Sequence, residues 1–190
     1  MTATSPNRGD IIALIADIFA RRGAEAYAGE DLTVAEHMLQ TACLAQAEGA
    51  PDTLVAAALL HDIGHFTSEF GEYSPQDTED KHHDESGAQV LDGFFPPAVT
   101  HCVRLHVAAK RYLCATDASY HDRLSPASRH SLLLQGGPMT GVEVAAFRQL
   151  AFYQQAVRLR RWDDSGKITG IQTMPFASFS PLLQRVLDAA

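Results

Sequence analysis

Five consecutive residues, His61-Asp62-Ile63-Gly64-His65, close the most apolar stretch of the chain, Leu54 to Leu60. An imidazole and a carboxylate side by side in such a setting are costly unless they are paired or bound to a cation. On a helix, successive side chains point about 100° apart, so His61 and Asp62 can grip one ion, or two neighbouring ions, from one corner. A lone His-Asp dipeptide fits a helix-terminal aspartate beside a satisfied core histidine equally well. The remainder of the chain adds weight to the metal alternative. His37 lies at the edge of an apolar helical face, His83 opens a later helix, His106 lies midway along another, and Asp163 closes a long late helix. His37, His61, Asp62, His83, His106 and Asp163 thus offer four imidazoles and two carboxylates from five separate elements. Such donors without thiolate suit iron, manganese or zinc, and their number allows two ions bridged by Asp62.

Cations accompany these donors. Lys110 stands one helical turn beyond His106 and so projects from the same face, and Arg160 stands three residues before Asp163. A planar guanidinium fork and a lysine point charge beside metals would form a pocket for a phospho group. Arg158 and Arg161 read as solvated. So do His82, His101, His121 and His130, as surface or satisfied residues, while Cys43, Cys102 and Cys114 read as small core hydrophobes.

The elements that must position these groups read as helices. Ile11, Ile12, Leu14, Ile15, Ile18 and Phe19 recur at helical spacing up to Arg21-Arg22-Gly23. A second helix is expected over Leu32–Glu48, closed by Gly49. A third, opened by Pro51-Asp52, is apolar on all sides and therefore buried. GEYSPQDTED, residues 71–80, reads as an acidic surface loop. Helices are expected from His83 to Phe95, from Ala98 to about Leu113 and from Val142 to Arg161, with a short one from Pro181. No alternating run predicts a strand. The expectation is an all-α helical bundle, a single domain over residues 1–190 with residues 1–9 flexible.

Composition narrows the function. The chain has 190 residues and is 46% hydrophobic; 15 Lys plus Arg against 23 Asp plus Glu leave a net charge of −8. That balance argues against wrapping nucleic acid, which needs clustered cations. No stretch is long enough to span a bilayer, and the N-terminus lacks the layout of a secretory signal. Three cysteines without a C-x-x-C spacing fit a reducing cytoplasm. The expected partner is a small molecule, with no nucleic acid or membrane, and the chain is expected to be a monomer or small homo-oligomer.

The order His37…His61-Asp62…His83…His106…Asp163 resembles the HD-domain superfamily in its two-metal form. Longer strings resemble a narrower group, the HD-domain mixed-valent di-iron oxygenases that cleave carbon–phosphorus bonds. These are Tyr27-Ala-Gly-Glu30 with Glu36-His37, Leu59-Leu-His-Asp-Ile-Gly-His65, His106-Val-Ala-Ala-Lys-Arg-Tyr-Leu113 and Ala118-Ser-Tyr120. They continue with Leu124-Ser-Pro-Ala-Ser-Arg129, Gln135-Gly-Gly-Pro-Met139 and Arg160-Arg-Trp-Asp163. The resemblance implies that His37, His61, Asp62 and Asp163 hold a structural iron and that Asp62 bridges to a second iron on His83 and His106. It further implies that Tyr27 is a ligand displaced by substrate, that Glu30 faces an onium group, and that His65, Lys110, Ser128 and Arg160 bind a phosphonate. With Tyr27, Glu30 and Lys110 as the catalytic set, the implied reaction is O2-dependent cleavage of a 1-hydroxy-2-(trimethylammonio or amino)ethylphosphonate to glycine betaine or glycine and phosphate.

The chain departs from that pattern mainly over Thr67–Lys81, where Phe66, Phe70 and Tyr73 either face an onium group or simply pack the loop. A metal-dependent HD phosphohydrolase acting on a nucleotide or phosphomonoester is the alternative reading, and a degenerate HD module without catalysis is a third. Tyr27 and Glu30 favour the oxygenase, because hydrolysis needs neither a displaceable phenol nor an onium carboxylate.

Overall fold

The computed structural model describes residues 10–27, 29–67 and 76–190. Leu54 to Leu60 contain no polar side chain, and a helix built from them must be surrounded. Helix α3 (Asp52–Leu60) is, with every side chain from Leu54 to Leu60 at most 2% exposed. Each of its larger side chains contributes roughly 1.5–3 kcal/mol by leaving water. It packs against α2 (Val34–Ala47), α6 (Pro97–Thr116), α10 (Tyr153–Ser165) and α11 (Ser180–Asp188). Helix α1 (Ile11–Arg22) covers the far side through Ile11, Ile15, Ile18 and Phe19. The remaining elements are α4 (Gly64–Thr67), α5 (His83–Leu91), α7 (Tyr120–Arg123), α8 (Pro126–Leu134), α9 (Gly141–Phe147) and a 3-10 turn at Phe176–Ser178. Among the described residues the only β feature is an isolated bridge between Ala26 and Thr33, so the fold is all-α as expected. No helix among them is long and apolar enough to cross a membrane.

Local chemistry sets the boundaries. Helix α2 begins at Val34 rather than Leu32 because Thr33 and Glu36 form a reciprocal cap: Glu36 N donates to Thr33 Oγ1 (3.2 Å) and Thr33 N to Glu36 Oε2 (2.7 Å). Helix α5 stops at Leu91, short of the expected Phe95, because Asp92 turns extended and Gly93 takes φ +83°. Pro97 occupies the first turn of α6, where its missing N–H costs nothing, and the helix runs on to Thr116.

The single helix expected over 142–161 is two. Phe152 adopts φ +64°, the left-handed region that bulky residues rarely enter, and separates α9 from α10. The break lets Phe147 of α9 and Ala156 of α10 both bury against Ala109 of α6. Helix α8 was not anticipated. Ser125 caps it by accepting from Ser128 N (3.1 Å), with Pro126 next in line. The expected acidic loop lies partly outside the described residues, as do residues 1–9, Phe70 and Tyr73.

Gly64 lets two backbones touch. A Cβ there would lie 1.8 Å from the His83 carbonyl oxygen and 2.8 Å from Gly87 N, so the start of α4 and the start of α5 meet only through a glycine. The contact brings His83 beside Asp62. Gly64→Ala should therefore destabilise the protein by about 3 kcal/mol or more, the upper end for overpacking, as measured by chemical denaturation. It should also move His83.

Candidate metal centre and its cleft

Helix α3 ends at Leu60 with His61 as its C-cap, and the turn that follows carries Asp62 into the bundle interior, where it is 1% exposed. Its carboxylate is the hub of the centre. Oδ2 lies 3.5 Å from His37 Nε2 and 3.4 Å from His61 Nε2, while Oδ1 lies 3.5 Å from the Nε2 of both His83 and His106. Each oxygen thus faces its own pair of imidazoles. Within the pairs the rings meet nitrogen to nitrogen, His37 to His61 at 3.1 Å and His83 to His106 at 3.0 Å.

The backbone dictates what those nitrogens are. His37 Nδ1 is 2.9 Å from the carbonyl of Gly166, His61 Nδ1 2.9 Å from that of Ala58, and His106 Nδ1 2.6 Å from that of Val103. A carbonyl only accepts, so each ring carries its proton on Nδ1 and turns a bare lone pair inward on Nε2. Two lone pairs about 3 Å apart repel unless a cation lies between them and the carboxylate. Asp163 adds a donor: Oδ1 lies 3.3 Å from His37 Nε2, is buried and has no hydrogen-bond partner. Two triads, His37-His61-Asp62 and Asp62-His83-His106, have ligand atoms close enough to hold an ion, and they share Asp62. The donor set fits a metal site.

Ionisation agrees. Burial pushes His61 down to about 4 despite Asp62 and Asp163, so it is neutral and able to ligate. Burial likewise takes His83 well below the ordinary histidine range, aided by His65. Burial alone would raise Asp62, but His61, His65, His106 and His83 outweigh it and hold the carboxyl well below the usual carboxylate range. For Asp163 burial is likewise overcome, by Arg160, Lys167 and His37.

A cleft of roughly 830 Å³, partly open to solvent, leads to this centre. Of the twelve residues expected at the site, ten line it: Tyr27, Glu30, Asp62, His65, His83, His106, Lys110, Ser128, Arg160 and Asp163. His37 and His61 stand behind them, fully buried. Tyr27 stacks on His37, with ring centroids 4.5 Å apart, and its hydroxyl donates to Asp62 Oδ2 at 2.9 Å. Burial first, then Asp62 and Asp163, raise this phenol well above its ordinary range, so it is the donor. His65 stacks on His83 at 4.3 Å. Glu30 N donates to Tyr27 O (2.9 Å), and Ser125 Oγ donates to Glu30 Oε1.

One wall is cationic. Lys110 donates to Ser131 Oγ (2.8 Å) and Lys167 to Ser128 Oγ (3.0 Å). Arg160 is engaged from behind by Asp163 (2.7 Å), by Asp164 and by the Tyr120 hydroxyl (3.1 Å). Burial works against its charge, yet these partners hold it well above the ordinary arginine range.

The family model described as "HD domain" matches residues 34–134. The chain belongs to the HD-domain family. Two relatives span nearly its whole length. A [1-hydroxy-2-(trimethylamino)ethyl]phosphonate dioxygenase (glycine-betaine-forming) of Leisingera caerulea is 54% identical, over 96% of this chain and 93% of its own. A hydroxymethylphosphonate dioxygenase of Gimesia maris is 41% identical, over 97% of this chain and 92% of its own. The resemblance read from the motifs is thus met both at the level of the HD domain and in the narrower group.

Sequence reading missed several residues of this HD-domain cleft. Ser131 stands three residues after Ser128 and Asp164 four after Arg160, spacings that point to shared faces, while Lys167 lies just past the end of α10, where no such spacing applies. Glu79 and Asp80 bring the described end of the acidic loop to the cleft. Phe66 does not join them. It packs in the core with the Arg22 guanidinium 5.4 Å from its ring centre, so the suggestion that it faces an onium group is corrected. His82 and His121 are exposed, as expected, while His101 packs its ring 5.6 Å from that of Phe152.

Facing lone pairs make the fold depend on the cation. Stripping divalent metal with a chelator should lower Tm by about 5–10 °C, measured by scanning fluorimetry and reversed on adding metal back.

Proposed function

We propose that this protein is an oxygenase that uses O2 to cleave the carbon–phosphorus bond of a 1-hydroxy-2-(trimethylammonio)ethylphosphonate or its 2-amino analogue. The products are glycine betaine or glycine, and phosphate. The observation that carries the reading is one cleft in which a two-triad metal centre, a cationic wall and a half-buried carboxylate, Glu30, stand together. A zwitterionic phosphonate needs all three, and the 54%-identical relative is named for such a substrate.

In this reading the metals are two irons in a mixed-valent Fe(II)/Fe(III) pair. His37, His61, Asp62 and Asp163 hold one, and Asp62, His83 and His106 hold the other. Iron supplies the redox chemistry with O2 that no side chain here can provide. The balance needs no further reductant: one O2 delivers one oxygen to C1, which leaves as carboxylate, and one to phosphorus, which leaves as phosphate. The protein binds and orients. Lys110, Ser128, His65 and Arg160 fix the phosphonate, and Glu30 fixes the cationic end. Tyr27, hydrogen-bonded to the bridging carboxylate, keeps the approach to the centre filled until substrate displaces it. The reading includes a single domain over residues 1–190 in the cytoplasm, a monomer or small homo-oligomer, with no nucleic-acid or membrane partner.

Iron-loaded protein incubated with O2 and the trimethylammonio substrate should consume O2 and release phosphate, followed by an oxygen electrode and phosphorus NMR. Phosphate release from phosphomonoesters without O2 would favour the hydrolase instead. Asp62→Ala should reduce bound metal from about two ions per chain to well under one, by elemental analysis, because both triads lose their shared ligand.

Lys110 adds a pH dependence. Burial, then Arg160 and Lys167, bring its ammonium down to about 7. Because this folded value lies below the ordinary 10.5, the empty cleft loses a positive charge as pH rises through 7. Phosphonate affinity should then fall by up to about tenfold per pH unit between about 7 and 9. Ionisation of the ligand itself is common to both proteins, so Lys110→Met should flatten this part of the slope in a calorimetric titration.

A further inference from the structure

Lys167 is held in the cleft by its neighbours in the chain. The carbonyl of Gly166 accepts from His37, and a Cβ on Gly166 would lie 2.6 Å from Thr41 Oγ1. On the other side, buried Gln40 grips Ile168 through both backbone groups: Gln40 Nε2 donates to Ile168 O (2.9 Å) and Ile168 N to Gln40 Oε1 (3.1 Å). Helix α2 thus clamps residues 166 and 168, and the side chain between them enters the cleft with 10% exposure. Its ammonium donates to Ser128 Oγ at 3.0 Å and lies 3.7 Å from Asp163 Oδ1, 3.8 Å from Glu30 Oε1 and 5.5 Å from the Tyr27 ring centre. One flexible cation therefore stands between the serine of the anion-binding wall and the carboxylate at the opposite end.

We infer that Lys167 is the built-in counter-ion of Glu30, and that by competing with a ligand's own cation it tempers the cleft's preference for phosphonates carrying a cationic group. A ligand with its own ammonium must displace Lys167 from Glu30, and the move of that cation to the phosphonate beside Ser128 offsets the cost only in part. A ligand without one leaves Lys167 with Glu30, whose carboxylate has only the Ser125 hydroxyl as another partner among the described residues, and the phosphonate goes without that cation. A lysine suits this exchange, being a point charge with three donors on a flexible stem. The inference rests on the phosphonate reading above for its ligands, but the pairing of Lys167 with Glu30 stands on the structure alone.

The test is anaerobic calorimetry on metal-loaded protein with 1-hydroxy-2-(trimethylammonio)ethylphosphonate and hydroxymethylphosphonate. Lys167→Met removes the counter-ion that the cationic ligand must displace from Glu30, and takes nothing from the second ligand, whose phosphonate does not receive Lys167. The affinity ratio in favour of the cationic ligand should therefore rise about tenfold, the size of one charge-assisted contact. In the Glu30→Gln background the same change should leave the ratio where Glu30→Gln alone puts it, and Lys167→Arg should restore much of the wild-type ratio. Equal weakening of both ligands, or an unchanged ratio, overturns the inference. A separate titration with tetramethylammonium chloride keeps it apart from the phosphonate reading: the cation should bind Lys167→Met more tightly than wild type. If neither phosphonate binds wild type, the phosphonate reading fails and this titration alone decides, an unchanged tetramethylammonium affinity overturning the counter-ion role. Unchanged circular dichroism in each variant confirms that folding is not the cause.

Discussion

The centre is organised by a repulsion between inward-facing lone pairs that a bound cation would relieve. Backbone carbonyls from three different elements take the outer proton of His37, His61 and His106, which leaves inward-facing lone pairs crowded around the Asp62 carboxylate. Most buried polar groups in proteins find a hydrogen-bond partner. Here the inner nitrogens and Asp163 Oδ1 face one another instead, in a pocket that holds donors of electrons and almost nothing to receive them. Much of the fold can be traced to this demand: the all-apolar α3 that excludes water, the glycine contact that brings α5 to Asp62, and the long α6 that carries His106 and Lys110 one turn apart.

Charge is graded outward from the centre. Asp163 faces the imidazoles with one oxygen and Arg160 with the other, and Arg160 is in turn backed by Asp164 and Tyr120. This shell leaves Lys110 and Lys167 as the cations whose hydrogen bonds go to hydroxyls, Ser131 and Ser128, and a serine hydroxyl is easily shared with an incoming anion. The opposite end offers Glu30. A cleft with these poles complements a zwitterion better than a simple phosphate ester, for which Glu30 would be a repulsive neighbour.

Placement of Tyr27 links the two regions. Its ring stacks on His37, its hydroxyl donates to the Asp62 carboxylate, and Lys167 lies over its face. It therefore touches the centre and the cleft at once. Its backbone N donates to Leu32 O, and the Ala26–Thr33 bridge beside it ties this region to the cap of α2, the helix that also supplies His37.

The metal donors were legible in the chain because histidine and aspartate are costly inside apolar helices unless a cation or a partner holds them, and their order along the chain is distinctive. The all-α class followed from helical periodicity, and α3 from an apolar run with no polar face. Other features were decided by contacts between residues far apart in sequence. The break at Phe152 answers to Ala109, which two segments must reach together, and no local propensity favours a left-handed phenylalanine. Lys167 lies beyond the end of α10, and only Gln40 and His37, about 130 residues earlier, fix the backbone on either side of it. Phe66 looked able to line the cleft, and only packing shows it turned into the core. Residue types and spacing specify which atoms can bind a cation, since that is a property of the side chain and its immediate surroundings. Which lone pairs face one another, and which ammonium stands beside which carboxylate, depends on distances of a few ångströms across the bundle, and those exist only once the helices have packed.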